Sequence, residues 1–257
     1  MKLGQELRGR LHSGETVIGS WLALGSPNVA EILAAVGFDF LVVDLEHSPT
    51  SLETMAEMIR VIEASGTIPL VRVTSNDAHQ IKRVLDAGAY GIVVPNIQDG
   101  DDAQNAVAAT KYPPMGRRGV GIARAQGYGA RVTEYRESAS TGLCVVVQIE
   151  SMKAVHHCRE IASVDGVDAL MIGPYDLSSD LGVPGDFTSR AFTEKVEEVR
   201  GSAESAGVAL GMHVVEPNPD EIKRLSQQGF RFFAYGVDMR ILDASARQGL
   251  KAARDLC

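Results

Sequence analysis

The chain has 257 residues and a mass of 27.5 kDa, a length that one (β/α)8 barrel typically fills, and its 45% apolar and 23% charged residues are those of a globular protein. With 33 acidic residues against 25 Lys plus Arg and a net charge of -8, it lacks the basic face that a nucleic-acid partner requires. No apolar run approaches the ~20 residues of a membrane span, and Met1 to Leu7 mixes charge with apolar residues instead of forming a signal-peptide core, so no membrane partner and a cytoplasmic location are expected.

In chain order, apolar runs predict strands over 16–24, 38–46, 68–74, 90–97, 143–150, 167–173, 208–214 and 230–237. Between them the spacing turns helical, as in Leu52-Met55-Met58-Ile59-Ile62 and Ile81-Val84-Leu85, and Gly37, Gly66, Gly88, Gly207 and Gly229 stand where helices should end. The strands are near-continuous apolar runs, as in a parallel sheet covered on both faces. Eight such βα units close most naturally into a single-domain TIM barrel spanning 1–257. An open doubly wound sheet would carry a Gly-rich phosphate turn after its first strand, and Leu24-Gly25-Ser26-Pro27 is not one. One insertion, Tyr112 to Gly121 with Arg124 and Gly127-Tyr128-Gly129 behind it, interrupts the rhythm. Its Pro pair and its three arginines predict a positioned loop over the active face. Cys144, Cys158 and Cys257 have no disulfide or zinc spacing; Cys144 is a small core residue and Cys257 the chain end.

Four strands end in polar residues: Asp44-Leu45-Glu46-His47, Arg72, Gln148-Ile149-Glu150 and Gly173-Pro174-Tyr175-Asp176. Strand C-termini are where a barrel carries its chemistry, so these ends imply one composite site. Glu150 and Asp176, ending consecutive strands, offer carboxylate oxygens suited to a hard divalent cation such as Mg²⁺ or Mn²⁺, although two solvated loop carboxylates are an equal reading of the spacing alone. His47 beside Asp44 and Glu46 is the histidine placed to act as a general base. Arg72 is read either as a strand-end ion pair with Asp44 or Asp86, or as the group that stabilises an enolate oxygen. All seven lysines fall in predicted helices or at their edges, which argues against imine catalysis.

At these residues the chain resembles the HpcH/HpaI aldolase family of metal-dependent class II pyruvate aldolases. The resemblance rests on Gly19-Ser20-Trp21, the run 38–47, Val71-Arg72-Val73, Leu85-Asp86-Ala87-Gly88-Ala89, the run 112–119, Gln148-Ile149-Glu150 and Gly173 to Ser178. It implies His47 as the proton-transfer residue with Asp86 raising its basicity, Arg72 at the enolate, and Glu150 and Asp176 as ligands of Mg²⁺, Mn²⁺ or Co²⁺. It further implies that Gln148, Trp21 and the backbone around Pro174 and Tyr175 bind the 2-oxo acid, with Asp44 and Glu46 in support. The implied reaction cleaves 4-hydroxy-2-oxo acids to pyruvate and an aldehyde, in aromatic or sugar acid catabolism, within a hexamer whose last helix, 240–256, packs on a neighbour. Tyr175 and His213 depart from common members. An acyl-CoA lyase of the malyl-CoA and citryl-CoA branch is the second reading, but its usual C-terminal extension is missing; a non-catalytic 2-oxo acid sensor is the third.

Overall fold

The computed structural model describes residues 1–256; Cys257 lies outside the described residues. The chain runs α1 (Lys2–His12), β1 (Val17–Leu22), α2 (Pro27–Val36), β2 (Phe40–Asp44), α3 (Leu52–Ala64), β3 (Ile68–Arg72), α4 (Ala78–Ala87), β4 (Gly91–Val94), α5 (Gly100–Thr110) and α6 (Val132–Gly142). It continues through β5 (Cys144–Ile149), α7 (Met152–His156), α8 (Cys158–Ala162), β6 (Ala169–Ile172), α9 (Pro174–Asp180), α10 (Arg190–Ala206), β7 (Ala209–Val214), α11 (Pro219–Gln227), β8 (Phe232–Val237) and α12 (Asp238–Arg254). The eight strands form a closed parallel barrel in sequence order, sealed where β8 pairs with β1, Val17 opposite Phe232 and Ile18 opposite Phe233. All eight expected strands are present, each trimmed by one to four residues at its ends. Gly37, Gly88 and Gly207 close α2, α4 and α10 in the left-handed region.

Because strand side chains alternate, each strand feeds two cores. Phe40, Val42, Leu70, Val146, Met171 and Phe232 fill the barrel, while Leu41, Val43, Val71, Val145 and Ile172 pack under the helices. Inside, the Phe40 and Phe232 rings stack at 4.5 Å. That stack fills the space beside Gly19, where an added Cβ would lie 2.3 Å from the Phe40 ring.

The N-terminal mouth is closed by α1, whose Leu7 and Leu11 join the inner core. Its polar side is fixed to the fully buried Asp168, which accepts from Arg8 Nε at 2.8 Å, contacts His12 Nε2 at 3.0 Å and accepts from the Val145 N–H at 2.9 Å. The opposite, C-terminal mouth is left for the site.

The insertion is ordered by its arginines, as expected, but does not lie over the active face. Arg118 donates to Asp86 Oδ1 at 2.6 Å and sits over the Tyr112 ring at 4.8 Å; Arg124 pairs with Glu63 and donates to the Ala87 carbonyl. Asp86, Ala87 and Glu63 end α4 and α3, and barrel helices end at the N-terminal side. Charge pairing with those helix ends draws the loop down the wall of the barrel.

Candidate active site

Asp44 and Arg72 are the last residues of β2 and β3 and lie opposite each other in the parallel register. Their side chains therefore share one face. Arg72 donates through Nε at 2.8 Å and Nη2 at 2.7 Å to the two Asp44 oxygens, a planar fork that fixes the guanidinium. Burial alone would push the Asp44 carboxyl up, but the hydrogen bonds and charge of Arg72 outweigh it and hold the group below the usual carboxylate range. The third guanidinium nitrogen, Nη1, lies 3.2 Å from Glu46 Oε2 and 3.5 Å from Gln148 Oε1. Beneath it lies the Trp21 ring, 4.4 Å away.

Asp44 also shapes the turn that follows. Its Oδ1 accepts from the Glu46 N–H at 3.0 Å and the His47 N–H at 3.4 Å, an Asx-type turn that carries both residues onto the mouth. The His47 ring is 67% exposed, with Nε2 at 3.8 Å from Glu46 Oε2. Burial, together with the charges of Glu150 and Asp44, pushes the Glu46 carboxyl up despite Arg72.

Glu150 follows β5 directly and is buried. Its Oε1 accepts from the Asn96 N–H at 2.6 Å and its Oε2 from Gln148 Nε2 at 2.7 Å. Asn96 holds φ at +54°, a left-handed conformation that Asn tolerates. Gly173 presses on the same carboxylate: a Cβ there would lie 2.8 Å from Oε2. Asp176 does not end a strand, as the spacing suggested, but occupies the first turn of α9. From there it still reaches Glu150, whose carboxyl is pushed up by burial and by the Asp176 charge.

These observations allow a test of fit for a divalent cation. Glu150 and Asp176 repel each other, and Glu150 retains lone pairs beyond its two hydrogen bonds. Among the described residues no group of three or more His, Cys, Asp or Glu is arranged to hold a metal; the pair would supply two protein ligands and leave the other positions to water and substrate oxygens. That is the habit of Mg²⁺, and the donor set fits.

Of the expected site residues, Asp44, Glu46, His47, Arg72, Gln148, Glu150, Asp176 and Trp21 converge. Asp86 does not join them, because its α4 position lies at the other end of the barrel and its oxygen is taken by Arg118 and by Gln126 at 3.2 Å. Tyr175 turns its half-exposed ring outward onto Phe187, centroids 5.1 Å apart, leaving its backbone beside Pro174 available to the site. Two contributors escaped the sequence reading: Asn96, whose signal was a Pro95-Asn96 turn after β4, and Asp238, which ties the ends of β1 and β8 by accepting from the Ala23 and Leu24 N–H groups.

Known proteins bear on this geometry. The family model for HpcH/HpaI aldolase/citrate lyase matches residues 17–244. A 4-hydroxy-2-oxo-heptane-1,7-dioate aldolase of Salmonella dublin is 40% identical over 238 residues, covering 92% of this chain and 89% of that protein. The crystal structure of a family protein from Burkholderia cenocepacia J2315 superposes with a TM-score of 0.93 at 35% identity, covering 97% of this chain and 99% of the other. The citrate synthase SbnG superposes with a TM-score of 0.86 at 30% identity, with 97% of each chain covered.

Proposed function

The chain belongs to the HpcH/HpaI aldolase/citrate lyase family and is a carbon–carbon lyase, and from that premise we propose that it is a divalent-metal-dependent aldolase acting on 4-hydroxy-2-oxo acids, with pyruvate and an aldehyde as products. The observation that carries this reading is the surplus of negative charge around one guanidinium: Asp44, Glu46 and Glu150 gather at Arg72 with Asp176 acting on Glu150, and burial pushes Glu46 and Glu150 up. A Mg²⁺, Mn²⁺ or Co²⁺ ion held by Glu150 and Asp176 would supply Lewis-acid charge to the 2-oxo acid.

In cleavage, the C4 hydroxyl loses its proton, the C3–C4 bond breaks, and its electron pair moves to the C2 oxygen as an enolate. Arg72, already fixed by Asp44, stabilises that oxygen with its Nη1 edge. His47, exposed at the mouth beside Glu46, carries the proton between hydroxyl, solvent and C3. Gln148 orients the 2-oxo acid, and the unbonded N–H groups in the first turn of α9 receive its carboxylate. The indole of Trp21 forms the floor. Lys2, Lys82, Lys153, Lys195, Lys223 and Lys251 lie in helices and Lys111 at the end of α5, so no lysine faces the barrel interior for imine formation.

A homo-oligomer, a hexamer by family resemblance, fits two further features. On α12 only Asp238 is buried, while Leu242 and Leu250 are 63% and 54% exposed, an apolar side suited to another copy of the chain. Asp86 could serve His47 only from such a copy. Among the described residues no helix is long and apolar enough to cross a membrane.

The test is pyruvate release from a panel of 4-hydroxy-2-oxo acids after chelation and after metal return. Turnover that needs the added ion supports the assignment, and full activity of metal-free protein contradicts it. The likeness to a citrate synthase favours one added arm, condensation onto a 2-oxo acid in place of an aldehyde.

A further inference from the structure

The ring of His213, on β7, packs against Trp21 with centroids 5.2 Å apart and planes at 54°, on an indole that also lies under Arg72. Its Nε2 lies 3.3 Å from the Gly236 carbonyl oxygen. A carbonyl only accepts, so Nε2 carries the proton and Nδ1 presents a lone pair. Burial, reinforced by the positive charge of Arg72, pushes the imidazolium down to about 3, so the ring is a neutral acceptor. Among the described residues, Nδ1 has no partner.

His213 lines a cavity of about 250 Å³ that opens beside Pro174 and Tyr175, against the turn that carries Asp176. The charged groups and the Asn218 oxygen of that cavity are engaged. Glu221 pairs with Arg224 at 2.8 Å, Glu216 with Arg240 at 2.9 Å, and the Asn218 oxygen caps α11. Phe187, Met212 and Val214 supply apolar wall. The Tyr175 hydroxyl belongs to a half-exposed ring turned onto Phe187, whereas the free Nδ1 of His213 belongs to a ring packed on Trp21.

We propose that His213 is a specificity-determining residue whose Nδ1 accepts a hydrogen bond from a substrate hydroxyl, so that aldehydes bearing a hydroxyl next to the carbonyl are used in preference to their deoxy counterparts. The proposal rests on the aldolase reading. Arg72 and His213 both contact the Trp21 indole, so a substrate that meets Arg72 through its C2 oxygen is placed to offer His213 a hydroxyl further along its chain. An acceptor that the bound substrate shuts off from water and the deoxy aldehyde leaves unpaired disfavours that aldehyde.

The experiment measures kcat/KM for condensation of pyruvate with glycolaldehyde and with acetaldehyde, using wild type, His213→Gln and His213→Asn. Intrinsic aldehyde reactivity cancels when the ratios of the three proteins are compared. The Gln amide can keep the bond to the Gly236 carbonyl but has no acceptor at the Nδ1 position, whereas the Asn oxygen can occupy that position. His213→Gln should lower the glycolaldehyde preference about tenfold, and His213→Asn should retain most of it, with the KM for pyruvate unchanged in both. An unchanged ratio in His213→Gln, or loss in Asn with retention in Gln, overturns the proposal. Exchange of the pyruvate methyl protons needs no aldehyde, so its absence from the wild type would overturn the aldolase reading instead.

Discussion

The two mouths of the barrel each hold a buried aspartate paired with an arginine, and they differ in what is left over. At the N-terminal mouth, Asp168 is satisfied by Arg8, His12 and a backbone N–H. Its charge is matched and the carboxylate is fully buried. At the C-terminal mouth, Asp44 and Arg72 are matched just as closely, but Glu46, Glu150 and Asp176 stand around them, and Glu46 and Glu150 are both pushed up. A matched cluster holds a fold together, whereas an unmatched one stores a demand for a cation.

The comparison can be broken most severely at the unmatched end. Asp176→Asn should lower turnover by at least about 10³-fold through loss of the cation. The melting temperature of metal-free protein should stay the same or rise, since a repulsion is removed. Steady-state kinetics with calorimetric metal titration checks the first, and thermal unfolding with chelator checks the second. Arg72→Lys should cost about 10²-fold or more in kcat, because a point charge cannot both hold Asp44 and face the enolate; the assay is single-turnover cleavage per folded molecule. The same pair predicts an acid limit. Since Arg72 holds the Asp44 carboxyl down, its contribution to stability is complete above the unfolded value of about 3.9 and is lost as pH falls through the lower folded value.

Breaking the matched end should do the opposite. Asp168→Asn strands the Arg8 charge beneath α1 and should cost about 3 kcal/mol of stability, with kcat and metal affinity unaltered below the unfolding transition. Urea denaturation beside an activity assay reads both. The smallest effect belongs to the exposed His47: His47→Ala should lower kcat about 10²-fold without changing metal affinity or stability. A fall in metal affinity in that variant would move His47 into the ligand set.

The barrel was legible because its evidence is local. Eight apolar runs bounded by Gly at helix ends and polar residues at strand ends repeat a pattern that few architectures accommodate. The meeting of Asp44, Arg72, Gln148 and Glu150 follows from strand order alone, since neighbouring strand ends must converge. What sequence could not place depends on pairings with no period. The hold of α1 on Asp168 joins residues 160 positions apart, and the descent of the insertion is set by Arg118 and Arg124 finding Asp86 and Glu63. Asp86 was expected at His47 on the strength of family likeness. A helix end at the far mouth cannot supply it within one chain. Asp176 departs from a strand end because Pro174 begins a helix there, the position that proline favours.

The most direct test is deuterium exchange at the methyl group of pyruvate, followed by NMR in metal-depleted protein before and after Mg²⁺ or Mn²⁺ is added. Exchange that starts on metal addition, is abolished by Asp176→Asn and is slowed by His47→Ala is the result this account predicts. Exchange at one rate in metal-free, metal-loaded and Asp176→Asn protein would contradict it.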